Sequence, residues 1–332
     1  MRKKKKVTML DIATAVGVSQ PTVSVILNGS DNVKVSDETR EKVLSKAREL
    51  NYKFNSNVLH TQSHRRIALL TNSMNMHDPF INAITAAKVR AWELDAILTV
   101  FDYEDNDELK SSMLTVIDNS AYDALIVASN TPAQVEGTIN SQLPMLFLNC
   151  TNPLYLQDVP SVLTSDFLGG YRAAEYLINK GYRDIAMITG ESWSDSSIQR
   201  LRGFRQALTN ADILVNEDWI KAGNWSVKQS YRETEQLLSQ TSRPRAIFCA
   251  SDLMAIGVYQ ALAHHNLSIP EDVAVVGYDN QLLASELTPS LTSVDLPYDE
   301  MGRIAVETLL SSTHPEVLMM KIEGDLIPRE SA

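Results

Sequence analysis

The chain has 332 residues, a formal net charge of −11 and 44% hydrophobic residues, enough for more than one folded core. No run reaches the ~20 apolar residues of a membrane helix, and the polybasic start has no apolar stretch behind it, so neither a membrane span nor a secretory signal is expected. Cys150 and Cys249 are too few for a disulfide framework, and each sits in an apolar strand-like run, which points to buried free thiols and a cytoplasmic chain. Charge divides the chain sharply. Residues 1–66 carry 13 Lys+Arg against 6 Asp+Glu, whereas the other 266 carry 17 against 35. A small basic head on a large acidic body fits one nucleic-acid-facing surface joined to a part that does not touch DNA. The lysines of Arg2–Lys6 taken alone read equally well as a solubilising tail.

The head begins with two short helices around a tight turn. Thr8 caps the first, with Asp11 three residues on as its capping-box acid, and Leu10, Ala13 and Val16 are expected to line one face. Gly17 breaks the run. Ser19 caps a second helix that tolerates Pro21 in its first turn, and Val23, Ile26 and Leu27 return to the same core. Such a pair is a helix-turn-helix, whose second helix enters the DNA major groove. A third helix follows Ser36, with Asp37 and Glu38 in its acidic first turn and Val43, Leu44, Ala47 and Leu50 facing inward.

From Ile67 the pattern alternates between apolar strands and longer helical stretches. Strands are read at 67–71, 96–101, 124–128 and 145–149, with helices at 80–94 and 107–119 and another near 133–142. The rhythm restarts with strands at 162–164, 185–189, 246–250 and 273–278 and helices at 168–180, 198–210, 227–240 and 252–265. Alternation of this kind implies parallel sheets with right-handed crossovers, and the body's size favours two doubly wound α/β subdomains over one sheet. The fold class is therefore an all-α helix-turn-helix head followed by an α/β body of two parallel-sheet subdomains.

Ligands in such folds bind at the carboxyl ends of strands. Asn149, Asp166, Ser251, Asp252 and Asp279 fall there, Arg200 opens a helix after a Ser-rich loop, and Trp225 lies in a loop. One Arg, several carboxylate or amide groups and an indole face suit a sugar, whose hydroxyls take bidentate hydrogen bonds while its apolar face packs on the aromatic. Singly, each residue has a plainer reading: Asp252 as a helix cap, Trp225 as half-buried packing, Asp279 as a turn residue. Catalysis has little support. Gly169-Gly170 lacks the rest of a phosphate-binding fingerprint, no Gly-x-Ser-x-Gly elbow occurs, and the six histidines contain no spaced metal set. No enzymatic activity, cofactor or metal is expected.

Over its whole length the chain resembles the LacI/GalR family of transcription regulators. In the head the matching strings are Asp11-Ile-Ala, Gly17-Val-Ser, Thr22-Val-Ser, Leu27-Asn-Gly, Val35-Ser-Asp-Glu-Thr-Arg-Glu-Lys-Val43 and Leu50-Asn-Tyr52. In the body they are Arg200-Leu-Arg-Gly-Phe204, Ala250-Ser-Asp-Leu-Met-Ala-Ile-Gly257, Ile269-Pro-Glu-Asp-Val273, Val276-Gly-Tyr-Asp279 and Leu287-Thr-Pro-Ser-Leu-Thr292. The resemblance implies a homodimeric repressor that binds duplex operator DNA, with operator affinity controlled by a small effector held between two periplasmic-binding-protein-like subdomains. It implies a DNA-binding domain over 1–53, a hinge over 54–66 and a core over 67–332. Within that core the N-subdomain would be 67–163 plus 293–323, and the C-subdomain 164–292 plus 324–332.

By the same resemblance Gln20, Pro21 and Val25 read bases, while Thr8, Ser19, Thr22, Ser24, Asn28, Ser36 and Thr39 hold phosphates. Many members carry Arg where Val25 stands, and an Arg reads guanine bidentately, whereas Val25 offers only an apolar edge. The hinge also departs from the family. An apolar wedge for the minor groove falls on Leu59 if counted back from Ile67, and on Thr61 if counted forward from Tyr52; Leu59 is favoured by its chemistry. The effector-binding positions implied are Phe80, Asn149, Asp166, Arg200, Trp225, Ser251, Asp279 and Asp295. A sugar or sugar phosphate is the expected effector, with a nucleoside or purine as the alternative. A sugar-binding transport component would share the body but not the basic head.

Overall fold

The computed structural model describes residues 7–28, 35–50, 52, 64–72, 74, 78–311, 313 and 315–332. The chain divides into two units, 1–65 and 66–332. In the first, helices α1 (Met9–Val16), α2 (Gln20–Asn28) and α3 (Asp37–Glu49) surround a core of Ile12, Ala13, Val23, Ile26, Leu27, Val43 and Ala47. The Thr8 hydroxyl accepts from Asp11 N, and Asp11 Oδ2 accepts from Thr8 N at 2.8 Å, which closes a capping box. Gly17 ends α1 at φ +75°, a left-handed conformation that glycine adopts without steric cost. One expectation for this unit needs correction. Leu10 is 57% exposed, and the buried stripe of α1 instead runs through Met9, Ile12, Ala13 and Val16, the i, i+3, i+4, i+7 set.

The second unit contains two six-stranded sheets. The first is built from β1 (Arg65–Thr71), β2 (Ala96–Asp102), β3 (Ala124–Gln134), β4 (Met145–Thr151), β5 (Ser161–Thr164) and β11 (Met319–Ile322), in the order β11-β5-β4-β3-β1-β2. The second contains β6 (Ile185–Thr189), β7 (Ile220–Ala222), β8 (Ala246–Cys249), β9 (Ala274–Asp279), β10 (Thr292–Asp295) and β12 (Leu326–Ile327), in the order β12-β10-β9-β8-β6-β7. The pairings β1–β3, β3–β4, β4–β5, β6–β8, β8–β9 and β9–β10 are parallel, whereas the two-residue β12 runs antiparallel to β10. The chain passes between the sheets three times: after β5, after β10 and between β11 and β12. Because β10 pairs in the second sheet through Asp295, that sheet extends three residues beyond the boundary anticipated at 292/293.

Helices α4 (Ile81–Glu93), α5 (Asp107–Asp118) and α11 (Tyr298–Leu310) accompany the first sheet. Helices α6 (Asp166–Asn179), α7 (Asp195–Asn210), α8 (Val227–Leu238), α9 (Asp252–His264) and the short α10 (Leu282–Glu286) accompany the second. The helix anticipated near 133–142 does not form. Ala133 and Gln134 continue β3 opposite Cys150 and Thr151 after a register shift, and the following run is irregular. Side chains satisfy its backbone: Tyr155 Oη accepts from Ile139 N at 3.0 Å, and Asn152 Nδ2 donates to Gly137 O at 2.9 Å. Ile139 reaches its buried cluster from this irregular run. Among the described residues, no single helix is long and apolar enough to cross a membrane.

Two glycines in the second subdomain set the spacing of α6 and α7. A Cβ on Gly203 would lie 1.9 Å from Phe167 O, and one on Gly170 would lie 2.2 Å from Arg200 O. These contacts are to backbone, which cannot swing away as a side chain can. Gly170 thus serves helix packing, while its neighbour Gly169 lies against the Tyr278 side chain, where a Cβ would fall 2.1 Å from Tyr278 Oη. Gly203→Ala is expected to lower the unfolding free energy by about 1–3 kcal/mol through forced separation of the helices. Urea titration followed by circular dichroism measures this, and an unchanged midpoint would contradict the packing argument.

Candidate functional site

The head presents three capped helix starts. Ser19 Oγ accepts from Thr22 N at 3.2 Å and lies 2.7 Å from Thr22 Oγ1, and Ser36 and Thr39 repeat the arrangement at 3.3 and 2.8 Å. Of the residues anticipated to hold phosphates, Thr8, Ser19, Thr22, Ser36 and Thr39 therefore sit at the N-termini of α1, α2 and α3, where the helix dipole favours an anion. Ser24 is half-buried within α2, and Asn28 is the last residue of that helix. Gln20 and Pro21 are exposed in the first turn of α2, and Val25 follows Pro21 by four residues on the same face. The opposite face, Val23, Ile26 and Leu27, is buried. Leu59 and Thr61, the two hinge candidates, lie outside the described residues.

In the body a cavity of about 570 Å³ opens between the carboxyl ends of the two sheets. From the anticipated residues it gathers Arg200, Trp225, Ser251 and Asp279. Arg200 is buried, and its guanidinium is held by several partners. Nε donates to Asp166 Oδ1 at 2.7 Å, and Nη1 donates to Ala250 O at 2.6 Å and faces Asp279 Oδ1 at 3.4 Å. The group lies over Tyr278, 3.6 Å from the ring centroid, and is 5.7 Å from that of Trp225. Burial alone would lower the Arg200 pKa; Asp166, then Tyr278 and Asp279, outweigh it, and the guanidinium stays charged. Burial likewise pushes Asp279 upward, while Arg200 and the Gln281 side chain pull it down.

Backbone strain accompanies these groups. Trp225 and Asp279 have φ of +56° and +104°, a region that non-glycine residues seldom occupy. Trp225 fits there because its ring lies against Gly190, where a Cβ would fall 2.0 Å from Trp225 Cζ2. Ser251 caps α9 by accepting from Met254 N at 3.2 Å, and its residue also lines the cavity. Asp252 is buried instead: it accepts from Ser293 Oγ at 2.6 Å and Gln281 N at 2.8 Å, which ties α9 to β10 and to the loop after β9.

Four anticipated effector residues lie outside the cavity lining. Phe80 is buried at the start of α4, edge-on to Tyr298 with ring centroids 5.4 Å apart. Asn149 is buried within β4 at φ +57°, donating to Ser129 O at 3.0 Å. Asp166 is one step removed, accepting from Thr164 Oγ1 at 2.6 Å while it holds Arg200. Asp295 accepts from Asn280 Nδ2 at 3.0 Å beside a neighbouring cavity. Asp166 and Asp295 line cavities that adjoin this one, and the buried Asn149 Oδ1 has no hydrogen-bond partner.

The lining adds Asp78, Asn130, Glu191, Trp193, Ser196 and Gln281, none singled out from the sequence. Glu191 and Trp193 follow β6, and Asn130, although within β3, lies two residues past the strand expected at 124–128, so the strand-end rule would have reached them if applied to every strand. Ser196 is buried and its hydroxyl has no hydrogen-bond partner, which makes it an open position for a ligand.

A helix-turn-helix unit with hydroxyl-capped helix starts, followed by two sheets that enclose a polar cavity, defines a ligand-responsive DNA-binding regulator. Residues 8–55 match the family described as "Bacterial regulatory proteins, lacI family", and residues 174–332 match a periplasmic binding protein-like domain. The chain is 33% identical to the ribose operon repressor of Haemophilus influenzae over 307 residues, 91% of each protein. It is 33% identical to the HTH-type transcriptional repressor PurR of Erwinia tasmaniensis over 341 residues, 98% of this chain and 96% of that one. The lac repressor dimer bound to operator and the anti-inducer ONPF superposes with a TM-score of 0.76 at 28% identity, covering 98% of this chain and 99% of that one. The transcriptional regulator CelR in complex with cellobiose gives 0.66 at 26% identity, covering 98% and 100%. The chain belongs to the lacI family of bacterial regulatory proteins.

Ser196→Ala separates a ligand-facing role from a structural one. Removing an unpartnered buried hydroxyl is expected to leave stability within about 0.5 kcal/mol or raise it. Affinity for the effector should fall up to about tenfold, the value of one neutral hydrogen bond. Thermal melts and calorimetry check the two, and a destabilised variant with unchanged effector affinity would reverse the assignment.

Proposed function

We propose that this protein is a homodimeric transcriptional repressor acting in the cytoplasm, whose operator affinity is set by a neutral sugar bound in the cleft. The observation that carries the effector class is the charge of the lining. Among the described residues, Asp78, Glu191 and Asp279 line the cavity with one cation, Arg200, which is already engaged by two carboxylates, and with no lysine. A phosphate there would meet uncompensated acids, so the unphosphorylated member of the expected pair is favoured. Sugar hydroxyls can bridge Asp279 and Arg200 while a ring face packs on Trp225. A purine is the second reading, supported by Trp193, 74% exposed, which lines the same cavity together with the amides of Asn130 and Gln281.

Assembly as a dimer is supported by the outer face of the first subdomain. Val89 and Trp92, three residues apart on α4, are 55% and 66% exposed, and they precede β2, the edge strand of its sheet. In the head, Val25 in place of an arginine supports an operator whose half-site lacks the guanine contact at that position. The hinge wedge at Leu59 is part of the same reading.

A thermal-shift screen of neutral sugars, sugar phosphates and nucleobases tests the effector class. A neutral sugar should raise the melting temperature and change operator affinity 5–150-fold, whereas a response to guanine with all sugars silent would overturn the sugar reading. Val25→Arg should shift the preferred half-site towards guanine in a binding-site selection, with an unchanged preference as the contrary result. Trp92→Glu should yield monomers by light scattering; a persistent dimer would place the interface elsewhere.

A further inference from the structure

On the side of the second subdomain, the C-terminal turns of α8 and α9 bring together Glu235, His264 and His265. Glu235 Oε1 is 3.1 Å from His265 Nε2 and 3.4 Å from His264 Nδ1, and the three donor atoms all lie within 4.8 Å of one another. We propose that these three side chains form a binding site for a divalent transition metal of the Zn²⁺ class.

Donor chemistry and spacing support the assignment. Two imidazoles and one carboxylate are ligands that zinc accepts, and three protein ligands leave a fourth position for water. With bonds of about 2.0–2.1 Å at tetrahedral angles, adjacent donors are about 3.4 Å apart. The two short separations therefore already match the edges of such a site, and only His264 and His265 need to draw closer. The surrounding field is also favourable. His264 is the last residue of α9 and His265 its C-cap, while Glu235 lies in the last turn of α8, so two helix C-termini direct their negative ends to one spot.

Tyr231 completes the surroundings. Its hydroxyl lies 2.9 Å from His264 Nδ1, with the two rings stacked at 6.4 Å between centroids. When Nδ1 takes the metal, this hydroxyl can turn to the Glu235 carboxylate and orient it from outside the coordination sphere. The chain conceals the cluster because His264 and His265 are adjacent and their third partner comes from another helix.

Bound metal would tie α8 to α9 at the ends opposite the cleft. Trp225 and Ser226 immediately precede α8, and Ser251 caps α9, so the tie joins two helices whose starts face the effector. The site differs from the cleft and does not depend on the effector's identity.

The test uses the untagged full-length protein with Zn²⁺ for melting and Co²⁺ for visible absorption. Zn²⁺ is expected to raise the melting temperature by a few degrees, and Co²⁺ to give the d–d bands of a coordinated ion. His264→Gln, His265→Gln and Glu235→Gln, each compared with itself without metal, should weaken Co²⁺ binding at least about tenfold. All three positions are at least partly exposed, so their metal-free melting should stay near wild type. Absence of a Zn²⁺ shift and of Co²⁺ bands would overturn the proposal. So would bands that persist in all three variants, because the ion would then be bound elsewhere.

Discussion

The buried guanidinium of Arg200 is the constraint around which the effector-binding half of the molecule is arranged. A charge in that position is tolerated only if it is paired, and leaving one buried ion unpartnered costs about 3–5 kcal/mol. Its partners come from separate elements: Asp166 at the start of α6, Ala250 O after β8, and Asp279 and Tyr278 at the end of β9. Gly170 and Gly203 let α6 and α7 approach closely enough for the Asp166 pair to form. Fold and site are thus coupled through one ion network. The glycine spacing serves packing and chemistry together.

The same network defines what the cleft can accept. Asp166 uses one oxygen on Arg200 and the other on Thr164, so it supports the guanidinium. Asp279 sits on the other side, where it lines the cavity beside Trp225. Asp252, a step further back, is held by Ser293 and Gln281, and it links the loop after β9 to β10, the strand that precedes one of the three passages between sheets. Gln281 joins the two carboxylates, donating through Nε2 to Asp279 and through its backbone N to Asp252.

Much of this architecture was legible in the sequence because local and tertiary signals agree. Thr8 with Asp11, Ser19 before Pro21 and Ser36 before its acidic turn mark helix starts by chemistry that operates within four residues. The strand at 185–189 is likewise a plain apolar run, and it is buried throughout. Agreement fails where distant side chains decide. The 133–142 segment has helical spacing, but Tyr155 and Asn152 satisfy its backbone in an irregular path, and no local feature announces them. Ala13 and Val16 face the core as their spacing implies, but the inward position in the turn before them belongs to Met9 and not to Leu10.

The site shows the same division. Arg200, Trp225, Ser251 and Asp279 follow from residue type and strand ends, and all four line the cavity. Asn149 and Asp166 satisfy the same criteria and Phe80 and Asp295 come from the family resemblance alone; the three-dimensional partners of these four, edge-on Tyr298, Ser129 O, Arg200 and Asn280, are not legible in the sequence. Ser196 was hidden for the opposite reason. It is one serine among several before Arg200, and its significance lies in a hydrogen bond it does not make. The charge division between residues 1–66 and the remainder, by contrast, needed no structure, since it is a property of composition alone.

The central claim is that Arg200 connects effector recognition to operator control while leaving the head's own affinity untouched. The most direct measurement is fluorescence anisotropy of labelled operator, titrated with the effector, for the wild type and for Arg200→Lys, whose ammonium cannot reproduce the planar fork. Without effector the two proteins should bind operator equally, and only the wild type should change its affinity when effector is added. An Arg200→Lys protein that still responds, or one that loses operator binding before any effector is present, would contradict the account.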